Sequence, residues 1–101
     1  MSALREYLIK RTDGSFLDLP KSSFDSVLRP NSIPSEPVAR WGDHRIKVPG
    51  CEIAFSFEPP GLQVIFQDPG FPQRIADQIV DEIRQNITRE TGHECAVVPL
   101  G

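Results

Sequence analysis

Ile75, Ile79, Ile83 and Ile87 recur every fourth residue through the segment 72–91, PQRIADQIVDEIRQNITRET. An α-helix sets residues at that spacing on one face. Ala76 and Val80 widen the apolar stripe, while Arg74, Asp77, Asp81, Glu82, Gln85 and Arg89 fall on the opposite side. Pro72 suits the first turn and Gly92 the position just past the last. Arg74 with Asp77, and Asp81 with Arg84, stand three apart, each pair worth roughly 0.3 kcal/mol on a solvated face. A helix of this kind draws its stability from the surface its stripe lies against. That requirement constrains the rest of the chain.

The surface is supplied by strands. In EIAFSFEPPGLQVIFQ (52–67), Ile53, Phe55 and Phe57 alternate with smaller or polar residues, as do Leu62, Val64 and Phe66. This pattern predicts two strands around a Pro-Pro-Gly turn. Pairing Phe57 with Val64 and Phe55 with Phe66 keeps the large apolar residues on one face. Glu58–Gln63 and Ala54–Gln67 then take the other. A polar second face means that the helix covers only one side of the sheet, which is an α+β arrangement.

The N-terminal stretch EYLIKRTDGSFLDL reads as a second hairpin, with Ile9 opposite Leu17, Tyr7 opposite Leu19, and Gly14 ending a three-residue loop. Ser22-Ser23-Phe24-Asp25 has the Ser-x-x-acid form of a helix start. A short helix over 22–28 would bury Phe24, Val27 and Leu28 and stop at Pro30. Residues 29–37 form a loop, in which Pro34 and Pro37 set rigid geometry. HECAVVPL carries a last strand at 94–98, apolar on both faces, which suits an interior or well-covered strand rather than an exposed edge. The expected fold is one α+β domain over 1–101. Three consecutive hairpins make an antiparallel sheet, the long helix packs across one face, a short helix sits near 22–28, and the last strand returns into the sheet.

Charge narrows the function classes. The 101 residues carry a net charge of −3 with a pI near 5.3, which disfavours nucleic acid as a general partner. Residues 1–50 hold eight basic and six acidic side chains, and residues 51–101 hold three and eight. The basic excess therefore lies in the first half. No apolar run approaches the roughly 20 residues of a membrane span, and the start MSALREYLIKR has no hydrophobic core of a signal peptide. Two cysteines without a secretory signal point to free thiols in the cytoplasm. Asn86-Ile87-Thr88 matches a glycosylation acceptor but falls inside the helix.

The chemistry-bearing candidates gather around Trp41-Gly42-Asp43-His44, within VARWGDHRIKV (38–48). Gly42-Asp43 fits a two-residue hairpin loop. That loop places Trp41 opposite His44, Arg40 opposite Arg45 and Ala39 opposite Ile46. Asp43, at the tip, is poorly placed to orient the imidazole as a catalytic acid would. Trp41 and His44 read as a cross-strand aromatic pair. The reverse face holds Arg40, Arg45 and Lys47, a like-charge cluster that an acidic partner, or Glu52 or Glu58 on a neighbouring strand, would relieve.

His93 and Cys95 share a strand face, and with Cys51 and His44 they make the one conceivable metal set. No C-x-x-C or H-x-x-x-H spacing supports it, so no metal and no cofactor is expected. The chain has no phosphate-binding glycine loop and no G-x-S-x-G or H-E-x-x-H motif.

The expected function is a small non-enzymatic protein-interaction module of accessory, inhibitor or immunity type. It would bind an acidic protein through Arg40, Arg45, Lys47 and Trp41, with Asp77, Asp81 and Glu82 as a second surface. Two alternatives stand beside it. One is a small enzyme or ligand-binding domain with a pocket near His44 or near His93 and Cys95. The other is a weak binder of RNA or single-stranded nucleic acid through the 40–47 hairpin.

Overall fold

A computed structural model describes residues 5–38 and 44–100. The chain is α+β: a six-stranded antiparallel sheet with one long and one short helix. In chain order the elements are β1 (Arg5–Arg11), a 3-10 turn (Lys21–Ser23), α1 (Phe24–Val27) and β2 (Glu36–Pro37). Then come β3 (Arg45–Val48), β4 (Cys51–Glu58), β5 (Gly61–Phe66), α2 (Gln73–Thr91) and β6 (Cys95–Pro99). The strands lie in the order β2-β3-β4-β5-β1-β6.

Helix α2 forms where the isoleucine spacing predicts. Pro72 caps its start, and Gly92 ends it in the left-handed conformation (φ 76), its N–H bonded to the Thr88 carbonyl at 2.8 Å. Ala76, Ile79, Val80, Ile83 and Ile87 are each 0% exposed, but Ile75, at the first turn, stays outside at 36%. Beneath them lie Tyr7 and Ile9 of β1, Ile46 and Val48 of β3, Ile53 and Phe55 of β4, and Leu62, Val64 and Phe66 of β5. Each such side chain withdrawn from water contributes about 1.5–3 kcal/mol.

Four expectations need correction. First, the β4–β5 pairing sets Phe55 opposite Val64 and Phe57 opposite Leu62. That is two positions from the predicted register, and the faces are unchanged. Gly61 belongs to the strand and pairs with Glu58, so the loop is only Pro59-Pro60. Gly61 is required where it stands: a Cβ there would lie 2.2 Å from the Ile9 carbonyl oxygen.

Second, the N-terminal hairpin does not form. The turn is present, with Gly14 N–H on the Arg11 carbonyl, but β1 is flanked by β5 and β6. Both its edges are filled, so 15–19 cannot pair with it. Leu17 and Leu19 are buried nonetheless, and Leu17 N–H bonds the Pro60 carbonyl at 3.1 Å.

Third, β6 is not interior. It pairs with β1 and ends the sheet. Fourth, the short helix forms near 22–28 as expected, a 3-10 turn continued by one turn of α-helix, but the capping that its Ser-x-x-acid start implies is not made: no side chain caps it. Val27 and Leu28 are buried as expected, and Phe24 is partly so.

Among the described residues no helix is long and apolar enough to cross a membrane.

Candidate functional site

The residues expected to bind a partner fall into three groups with different surroundings. Arg45 and Lys47 alternate on β3, so both point to the sheet face that α2 leaves uncovered. That face carries, row by row across the strands, Arg45–Ala54–Ile65–Glu6 and Ser56–Gln63–Leu8–Val98. It is aliphatic at its centre, with Ala54 buried and Leu8, Ile65 and Val98 half-buried. Gln63 donates to Glu6 at 2.9 Å within it.

The basic pair is partly compensated. Arg45 Nη1 stands 3.8 Å from Glu52 Oε1, and Lys47 sits between Glu36 and Glu52 on the flanking strands. Glu52 thus supplies the relief the sequence anticipates. Arg45 also borders an open recess of about 350 Å³ with Cys51, Gln67 and Asp68. Lys47 borders another of about 300 Å³, walled by Pro34, Val48 and Pro49.

The predicted register of this hairpin differs from the structure. Pro37, not Ala39, is opposite Ile46, and Val38 N–H bonds the Arg45 carbonyl at 3.0 Å. Val38 therefore takes the place expected for Arg40. Arg40, Trp41, Gly42 and Asp43 lie outside the described residues, and the expected Trp41–His44 pair lies there with them.

His44 turns to the covered side. Its ring is 5.6 Å from Phe24 and 5.8 Å from Phe55, and Phe24 stacks on Phe57. Burial lowers its pKa below the usual 6.5, with Asp25 opposing, and among the described residues its buried Nε2 has no bonding partner. Sequence reasoning misses Phe24 and Phe57 as neighbours of this histidine. Their alternation and apolarity are visible in the chain, but their meeting depends on where α1 docks.

The acidic group on α2 is largely spent on holding the fold. Asp77 accepts a 2.6 Å hydrogen bond from Tyr7, whose phenol is pushed above its usual range by burial and by that carboxylate. Asp81 pairs with Arg84 at 2.9 Å and accepts from Gln85. Glu82 accepts from the backbone N–H groups of Asn31 and Ser32, from the Ser32 hydroxyl and from Gln78. Burial pushes its carboxyl up, but these donors outweigh it and hold the pKa at about 2. Beside it Asn86, 5% exposed, donates to the Val27 and Arg29 carbonyls and bonds Asn31. Its amide is engaged inside the fold, so the Asn86-Ile87-Thr88 sequon offers no accessible acceptor. Glu82 and Asn86 together pin the 28–33 loop to the helix.

The cysteines do not meet. Cys51 is on β4 and Cys95 on β6, three strand spacings apart, roughly 14 Å or more. That exceeds disulfide reach, and both thiols are free and buried. Burial raises the pKa of each. Around Cys95 the Thr88 hydroxyl and the charges of Arg11 and Arg84 oppose the rise without overcoming it. His93 is exposed, and it meets the Cys95 thiol through its backbone carbonyl at 3.5 Å. The set of His44, Cys51, His93 and Cys95 is dispersed. Among the described residues no three His, Cys, Asp or Glu side chains gather as metal ligands.

No protein-family model, no curated protein and no solved structure matches this chain, so a functional reading rests on its own residues.

Proposed function

We propose that the chain is a small cytoplasmic, non-enzymatic interaction module that binds an acidic protein through the uncovered sheet face. Arg45 and Lys47 engage carboxylates, and Leu8, Ile65 and Val98 give apolar area. Arg40 and Trp41, which the sequence reading adds to this site, lie outside the described residues. The supporting observation is the position of Arg45 and Lys47: each borders an open recess at the margin of a half-buried aliphatic surface. Such a surface joins an apolar centre to a charged rim. Glu36 and Glu52 moderate the field, so the charges set orientation and approach more than affinity.

The test is affinity capture from native lysate, followed by titration of the purified partner against wild type and an Arg45→Ala/Lys47→Ala variant. The dissociation constant is expected to rise about tenfold in the variant, and wild-type affinity to fall with added salt. A partner that binds both proteins equally removes this site.

A second reading, a ligand-binding domain, is favoured by one feature: the His44 Nε2, which has no partner among the described residues, within the Phe24, Phe55 and Phe57 cluster. Selective loss of a ligand response in His44→Ala, with the fold intact, would favour it over the first.

A further inference from the structure

Two prolines decide where the β2–β3 pairing stops. Val38 N–H bonds the Arg45 carbonyl, so positions 36 and 38 on one side and 45 and 47 on the other turn their backbone groups toward each other. One step further the same alternation would set Pro34 against Pro49, and neither has an N–H to give. The ladder therefore ends at Glu36 and Lys47. Beyond it the two segments leave a recess of about 300 Å³, lined by Pro34, Ser35, Glu36, Lys47, Val48 and Pro49. Pro34, Glu36, Lys47 and Pro49 are all exposed, so the recess opens to solvent.

Glu36 and Lys47 stand directly opposite each other with opposite charges, a combination that favours a closed cross-strand pair. Among the described residues neither side chain has an ion-pair or hydrogen-bond partner. Glu52, on the other side of Lys47, is drawn to Arg45 at 3.8 Å. One carboxylate and one ammonium thus border the same opening without being joined. Pro34 and Pro49 add apolar rings with no rotamer freedom to lose on contact. A ligand of a single charge would be attracted by one of the two charged groups and repelled by the other. A small molecule carrying both signs on neighbouring atoms, with an apolar body, matches all four residues.

We propose that this recess binds a free α-amino acid with an aliphatic side chain. Its ammonium donates to the Glu36 carboxylate, its carboxylate accepts from the Lys47 ammonium, and its side chain lies against Pro34 and Pro49. The volume is at the lower end of the roughly 300–1,000 Å³ of ligand sites, which suits one amino acid and not a cofactor-sized molecule. Both charged groups keep their contact with water, so the dissociation constant is expected at about 1 mM. The site shares Lys47 with the acidic-partner reading but does not rest on it. Its test needs only the purified chain and a small molecule, so a negative result removes this ligand and leaves the partner site as proposed. A partner that ignores Lys47 likewise leaves the amino-acid result standing.

Titration of the isotope-labelled chain with L-leucine to about 20 mM, followed by backbone amide chemical shifts, tests it. Saturable shifts are expected at the Ser35, Glu36, Lys47 and Val48 amides. Isocaproate lacks the ammonium of leucine, isoamylamine lacks the carboxylate, and glycine lacks the side chain. Each is expected to bind about tenfold more weakly. Glu36→Gln and Lys47→Met are each expected to weaken leucine about tenfold with an unchanged circular dichroism spectrum, since both positions are exposed. Glu36→Gln should also lose the preference for leucine over isocaproate, and Lys47→Met the preference over isoamylamine. If one variant fails to fold, the other and the three analogues still decide. The proposal is overturned if leucine gives no saturable shift, or shifts only residues away from the recess. It is equally overturned if either singly charged analogue binds as tightly as leucine, or if a folded Glu36→Gln chain binds leucine like wild type.

Discussion

The two faces of the sheet are built from the same strands and do different work. Toward α2, Phe55–Val64–Tyr7 and Phe57–Leu62–Ile9 form rows closed over by the helix isoleucines, and most of these side chains are at or near zero exposure. On the other face, Leu8, Ile65 and Val98 sit among Glu6, Gln63, Ser56 and Arg45 with no covering layer among the described residues. The difference teaches where stability and recognition separate. A residue in a closed layer loses packing on all sides when truncated. One on the bare face loses little from the monomer and remains available to a partner.

Substitutions can sharpen that contrast or break it. The largest effect is expected from Ile83→Ala, beneath the covered face, at about 3–4 kcal/mol by urea unfolding, since it deletes a wholly buried side chain. Gly61→Ala is expected to cost about 2–3 kcal/mol although Gly61 alternates onto the bare face. Its added methyl meets the Ile9 carbonyl, so backbones must part. A loss well under 1 kcal/mol would show that β1 and β5 yield easily there.

Asn86→Ala should cost about 2 kcal/mol, because it leaves the Val27 and Arg29 carbonyls without their donor. Glu82→Gln tests the same loop through pH. The Glu82 carboxyl is held at about 2 in the fold against an ordinary 4.5. Its stabilisation is therefore complete above pH 4.5 and is lost as pH falls from there toward 2. After discounting for solvent screening it amounts to roughly 1 kcal/mol, and the variant should lack that part of the acid dependence.

The smallest effects are expected on the bare face and at His44. Lys47→Ala should change stability by less than about 0.5 kcal/mol. Because the His44 pKa is lowered in the fold, neutral His44 favours folding above pH 6.5, and stability falls as pH drops through that value. His44→Phe should remove this slope in thermal unfolding between pH 7 and 5.

The helix and the β4–β5 strands are readable in the sequence because their signals are local. A four-residue isoleucine spacing needs no partner to be recognised, and alternation assigns Phe55 and Val64 to one face whatever lies opposite. Register is not readable to the same degree. A shift of two residues preserves every face, so polarity cannot choose between Phe66 and Val64 as the mate of Phe55. The same limit moves Val38 into the place expected for Arg40. At the candidate site, alternation puts Arg45 and Lys47 on one face and offers Glu52 or Glu58 as a partner, of which the structure brings Glu52 to Arg45. It cannot show that Glu82 is tied to Ser32, 50 residues away, or Asp77 to Tyr7, 70 away.

By itself the sequence determined an α+β chain, its long helix, the inward faces of its central strands and the placement of its basic pair, because periodicity and charge are properties of neighbouring residues. Tertiary structure alone decided the strand order, the edge position of β6, the engagement of Glu82 and Asn86, and the distance between the cysteines. Each of these depends on which distant segments come to lie side by side. Hydrophobic alternation says which side of a strand is apolar, and says nothing of which strand will lie next to it.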